Sequence, residues 1–128
     1  MSLHAPRKAS VLLLVSRDVD RERLDRALTS AGFDVRSTAS AAVGLGLTSS
    51  WRPRILVVDQ HSPLAVRDLV ALQANEPGRP GVRLVLLVDG DPAAAQDTGA
   101  DRVVPLAGGA PALLASITQL LSEPSSDR

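Results

Sequence analysis

Three short runs of aliphatic residues carry no polar interruption: VLLLV at 11–15, ILVV at 55–58 and LVLLV at 84–88. A strand with one wet face alternates apolar and polar residues, so unbroken runs of this length read as strands covered on both faces. This restricts the chain to a sheet buried between layers of other structure, and the layers must be helices. Residues 34–37 and 102–105 are weaker strand candidates and bring the number to five.

Helical patterns fill the intervals. In the first, Leu24, Ala27, Leu28 and Ala31 follow helical spacing, with Asp20 as the expected cap and Gly32 as the stop. The second, over 40–50, is weakened by Gly44 and Gly46. The third opens at Pro63, carries Val66, Leu69 and Val70, and closes near Asn75 ahead of Pro77 and Gly78. The fourth is short and Ala-rich, over 92–97. The fifth opens at Pro111 and carries a stripe of Leu113, Leu114, Ile117, Leu120 and Leu121. Strict alternation of strand and helix, with right-handed crossovers, predicts an α/β fold. It is a single doubly wound five-stranded parallel sheet with five helices, in the flavodoxin-like strand order 2-1-3-4-5. The expected domain covers 9–122, after a flexible leader at 1–8 and before a polar tail at 123–128 that reads as a frayed end or a linker.

Composition removes several function classes. The 128 residues include 14 basic and 14 acidic side chains, a net charge of zero, which provides no phosphate-binding surface for nucleic acid. Phe33 and Trp51 are the only aromatics, so no stacking platform exists for single strands. Without Cys there is no disulfide, thiolate metal site or thiol catalysis. Arg7 and Lys8 precede an apolar run, but that run is too short for a secretory signal and is followed by the charged stretch 17–26. No run spans a bilayer. A cytoplasmic protein is expected.

Ligands of doubly wound sheets bind at the carboxyl ends of the central strands. Those ends are Ser16-Arg17-Asp18, Asp59-Gln60-His61, Val88-Asp89-Gly90 and Pro105-Leu106-Ala107. Asp59 follows four apolar residues and either projects into this crevice or caps the next turn. His61, with no partner at ligand spacing, reads as a loop residue, and His4 lies in the leader. Asp89, Asp91 and Asp97 form an acidic rim or serve as turn-formers and caps. Gly108-Gly109 before a helix is a weak phosphate cradle. There is no P-loop, dinucleotide fingerprint or nucleophile–base arrangement, so an enzyme is not expected.

The stretch RILVVDQHSP at 54–63, GAD at 99–101 and the first-strand run VLLLV together resemble the receiver domains of bacterial two-component response regulators over 9–122. The resemblance implies that Asp59 stands at the phosphoacceptor position. The rest of that family's site is replaced. Its Mg²⁺-binding acidic pair falls on Ser16 and Arg17, with Asp18 one residue late. Its Ser/Thr falls on Val88, its Lys-Pro on Leu106-Ala107, and its aromatic switch residue on Val103.

Phosphoryl transfer to a carboxylate needs charge neutralisation by a metal and a cation. The expectation is therefore a pseudo-receiver, without cofactor, acting in signal transduction as a protein-interaction module. An Arg17–Asp59 ion pair would stand in for Mg²⁺. The resemblance also implies a protein partner, such as a histidine kinase or another signalling protein. It implies a homodimer face on helix four, strand five and helix five that includes Arg102, Val104 and parts of 113–121. The alternative is a phosphorelay receiver modified on Asp59 by a histidine kinase, with Asp18 or Asp20 supplying a Mg²⁺ oxygen. A small flavodoxin-like enzyme or nucleotide binder is a third reading, for which the sequence offers no phosphate-binding motif and no acid/base pair.

Overall fold

The computed structural model describes residues 9–51, 53–60, 82–90 and 100–122. The aliphatic runs form the middle of a five-stranded sheet: β1 (Ser10–Leu14), β2 (Asp34–Thr38), β3 (Ile55–Asp59), β4 (Arg83–Val88) and β5 (Arg102–Pro105). All pairings are parallel, in the order β2-β1-β3-β4-β5. The three described helices are α1 (Asp18–Ser30), α2 (Ala41–Ser50) and α3 (Gly109–Ser122). The helices expected over 63–75 and 92–97, the leader and the tail lie outside the described residues.

Strand periodicity sorts the core into two layers. Val11, Leu13, Val15, Ile55, Val57, Val85, Leu87 and Val104 face α1 and α3, where Leu24, Leu28, Leu113, Ile117 and Leu120 meet them. Leu12, Leu14, Leu56, Val58 and Leu84 face the opposite side, with Leu47 of α2 and Trp51 packed on them. Both faces of β1 and β3 are thus dry, which is why their sequences do not alternate.

The helix ends correct two expectations. Arg17, not Asp20, is the N-cap residue of α1, and it makes no side-chain cap bond. Asp18 and Asp20 instead lie in the first turn, where negative charge complements the helix dipole. Gly32 does stop α1. It has φ 100°, and Gly32 N–H donates to Thr29 O (3.0 Å) while Phe33 N–H donates to Leu28 O (3.1 Å). These two bonds satisfy carbonyls that the helix end would otherwise orphan. α3 starts at Gly109, two residues before Pro111, after a 3₁₀ turn over Leu106–Gly108. Pro111 still falls in the first turn, where its missing N–H costs nothing.

α2 forms despite its glycines. Ser40 Oγ accepts from Val43 N–H (3.2 Å) and caps the helix. At Gly44 a Cβ would come within 3.2 Å of Leu14 Cδ1, so this glycine lets α2 approach β1.

Asp101 of the GAD turn ties β5 to β4. Its N–H donates to Leu84 O (2.8 Å), and its Oδ2 accepts from Leu84 N–H (2.7 Å). Leu84 is buried, so Asp101→Ala leaves a buried N–H without a partner. The expected loss is about 1–3 kcal/mol, read as a lower urea midpoint at unchanged slope.

Candidate functional site at the end of strand three

Asp59 is the last residue of β3 and shares the α1/α3 side of the sheet with Ile55 and Val57. It is the one buried polar or charged side chain among the described residues, at 2 % exposure. The parallel register that aligns Leu14 with Val58 carries Ser16 to the rim beside it. Ser16 donates twice to Asp59 Oδ2, from its backbone N–H (3.0 Å) and from Oγ (2.9 Å). Oδ1 is buried and has no hydrogen-bond partner. One carboxylate oxygen is therefore saturated by neutral donors of the chain, and the other is left bare.

Arg17 makes no bond to Oδ1, which corrects the expected Arg17–Asp59 pair. Strand alternation continued past β1 would set Arg17 on the side of Asp59, but the strand ends at Leu14, the chain bends at Ser16 and Arg17, and Ser16 is the residue that meets Asp59. The Arg17 guanidinium lies 3.9 Å from Asp89 Oδ2, with both side chains largely in water (62 % and 41 % exposed). Such a pair contributes little.

Asp18 is turned away as well. Its side chain is 77 % exposed and pairs with Arg21, which also donates to Val15 O (2.9 Å). Arg21 thus binds the first turn of α1 to the end of β1 and draws Asp18 off the crevice.

The remaining positions offer no polar group to Asp59. Val88 is buried and aliphatic at the end of β4. Leu106 packs against the α1/α3 layer from the 3₁₀ turn. With Asp20, Arg23, Leu24, Leu87, Pro105 and Gly109 it lines a hollow of about 10 Å³, room for roughly one water. The Gly108-Gly109 pair has a packing role. A Cβ on Gly108 would meet Ala112 Cβ at 2.8 Å, and Gly109 has φ 69° at the start of α3.

Val104 is buried in the core, as are Leu113, Ile117 and Leu120. Strand and helix turn these side chains inward against the sheet, so Val104 and the inward part of 113–121 are not available to the expected dimer face, while Arg102 and Leu114 are only half-buried. His61, Asp91 and Asp97 lie outside the described residues.

Gln60 was not singled out from sequence. Its N–H donates to Leu87 O (2.9 Å) and its Oε1 accepts from Asp89 N–H, so it holds the ends of β3 and β4 together. An exposed Gln in a loop carries no sequence signal for this role.

The architecture is that of the doubly wound, flavodoxin-like sheets, with Asp59 at the carboxyl end of the central strand. Within that class it is the receiver fold. The chemotaxis response regulator CheY4 of Vibrio cholerae superposes with a TM-score of 0.76 at 18 % identity, over 88 % of this chain and 98 % of that one. The signal receiver domain of a signal transduction histidine kinase from Syntrophus aciditrophicus gives 0.77 at 18 %, over 94 % and 96 %. HP1043, an orphan response regulator of H. pylori, gives 0.72 at 20 %, over 91 % and 99 %. No protein-family profile and no curated protein sequence matches the chain. Among the described residues no helix is long and apolar enough to cross a membrane.

Proposed function

We propose that this chain is an atypical receiver-type signalling module that works through protein contacts and without a phosphorylation cycle or enzymatic turnover of its own. The observation that carries this reading is the state of Asp59. Its Oδ2 is occupied by two donors from Ser16, and no cation of the described residues reaches Oδ1.

Mg²⁺ does not fit this donor set. The ion takes several oxygen ligands in octahedral geometry. The hydrogen bonds to Asp59 come from an N–H and an O–H of Ser16, donors that a cation cannot use. No group of three His, Cys, Asp or Glu gathers anywhere among them. Val88 and Leu106 offer an incoming phosphoryl group neither a hydroxyl nor an ammonium. Without these charges the transition state of transfer is unsupported. The partner is a signalling protein in cytoplasmic signal transduction that recognises the surface of the fold.

A second reading has one observation in its favour. Asp59 Oδ1 makes no hydrogen bond, which leaves a carboxylate oxygen for attack on a phosphodonor. This reading needs a Mg²⁺ oxygen from Asp18 or Asp20: Asp18 is held by Arg21 in solvent, which counts against it, while Asp20 lines the hollow with Leu87 and Leu106.

Intact-mass spectrometry after incubation with acetyl phosphate and MgCl₂ separates the two. The expected result is no phosphoryl adduct under conditions that modify a CheY-type control. An adduct that disappears in Asp59→Asn would make the phosphorelay reading the correct one.

A further inference from the structure

β2 (Asp34–Thr38) closes one side of the sheet, and among the described residues it pairs with β1 alone. The ladder shows which backbone groups that leaves. Asp34 N–H donates to Ala9 O (3.3 Å), and Val15 N–H donates to Thr38 O (3.2 Å). Parallel pairing uses alternate residues, so Asp34, Arg36 and Thr38 turn their N–H and C=O groups to β1, and Val35 and Ser37 turn theirs outward. An outer strand with its polar groups in a row is a template for another strand. We propose that the outer edge of β2 pairs with the same edge of a second copy of this chain, antiparallel and about a two-fold axis at Val35, so that two five-stranded sheets become continuous.

The sequence of the strand selects this occupant and this register. Reversed against itself, Asp34-Val35-Arg36 is its own complement: each Asp34 stands opposite the partner's Arg36, and each Val35 opposite the partner's Val35. Val35 packs on the α1/α3 layer, so alternation sets Asp34 and Arg36 on the other side of the sheet. There the Arg36 guanidinium lies 4.7 Å from the centre of the Trp51 ring, and this stacking holds an exposed arginine in place at the edge. An axis at Arg36 would set Arg36 against itself, and one at Ser37 would set Asp34 opposite the partner's Ser40.

Main-chain hydrogen bonds supply the affinity of such a contact, and matched side chains supply its register. A strand of five residues buries less than a standard interface does, so the dimer is reversible. It lies at the edge of the sheet opposite β5, where the sequence placed a homodimer face. It does not involve Asp59, and it stands or falls separately from the function proposed above.

Sedimentation equilibrium of the full chain from about 1 µM to about 1 mM gives the test, with wild type, Arg36→Glu and Asp34→Arg/Arg36→Asp. The wild type should pass reversibly from one chain to two over this range. Arg36→Glu turns two attractive pairs into two repulsive ones, so its dissociation constant should rise about tenfold or more. The double exchange restores opposite charges across the axis and should restore the dimer. Hydrogen exchange of the Val35 amide should slow by about tenfold or more in the wild type at the highest concentration, because that N–H is bonded in the dimer alone. A wild type that stays a single chain to the top of the range overturns the proposal. So does a dimer that Arg36→Glu leaves intact, or one in which the Val35 amide exchanges freely, since such a dimer uses another face. A folded double exchange that stays a single chain overturns the axis at Val35. If the double exchange fails to fold, Arg36→Glu and the Val35 amide decide, because Arg36 is exposed and its replacement leaves the backbone ladder untouched.

Discussion

Asp59→Asn should make this protein more stable, raising its unfolding free energy by about 1–3 kcal/mol and its thermal midpoint by a few degrees for each of these. The argument follows from the two oxygens. Oδ2 accepts from Ser16 N–H and Oγ, and an amide oxygen placed there keeps both bonds. Oδ1 is buried with no partner, so the folded state loses the hydration of a charged oxygen and regains nothing for it. An uncharged NH₂ group in its place costs less to bury. Most substitutions at buried positions destabilise, so a gain at 2 % exposure would be informative on its own. It would mark Asp59 as retained against the interest of stability, as groups at functional positions commonly are. Differential scanning calorimetry of both proteins, with and without MgCl₂, provides the check. An unchanged or lower midpoint in Asp59→Asn would mean that Oδ1 is compensated. A wild-type midpoint that rises with MgCl₂ would identify the cation as the compensating group and weaken the proposed function.

The same residues show what sequence could and could not specify. Strand order followed from alternation and from unbroken aliphatic runs, because burial on both faces leaves no polar residue in β1, β3 or β4 between Val11 and Leu14, Ile55 and Val58, or Leu84 and Val88. Gly32 was legible as a stop because positive φ has few alternatives to glycine. The N-cap of α1 was not. Asp20 looked like the cap, and the helix instead begins two residues earlier, where Arg21 pairs with Asp18 and donates to Val15 O, a contact to the preceding strand that the sequence does not show.

At the site, position alone put Asp59 at the end of a buried strand, and the resemblance gave it the phosphoacceptor position. The partner of its carboxylate was missed for a physical reason: Ser16 and Arg17 both follow the end of β1, and charge favoured the guanidinium. Which of two successive side chains faces a neighbouring strand depends on where the strand's alternation stops, and a one-residue change reverses the answer. Which residues of the expected dimer face point outward was illegible for the same kind of reason. Apolar residues on β5 and α3 were legible as one patch, and only the packed structure shows that Val104, Leu113 and Ile117 turn inward.

The other large effect tests the core that positions Asp59. Ile117 lies in the middle of α3, is fully buried, and belongs to the layer that contains Val57 and Leu87, neighbours of Asp59 along β3 and across on β4. Ile117→Ala removes three carbons from a close-packed layer and leaves a void that the flanking Leu113 and Leu120 fill only in part. The expected loss is about 2–5 kcal/mol, a large share of the roughly 5–15 kcal/mol that holds a domain of this size together. Val43→Ala is the matched control. Val43 is 51 % exposed on α2, and its truncation should stay within about 0.5 kcal/mol. Urea unfolding at equal denaturant slopes gives both numbers. A small loss at Ile117 would mean that α3 is loosely seated on the sheet. A large loss confined to Ile117 would show that α3 is fixed against the strand that carries Asp59. A partner pulling on α3 could then reach the site only by breaking packed contacts, so recognition would act on a rigid surface rather than through a mobile helix.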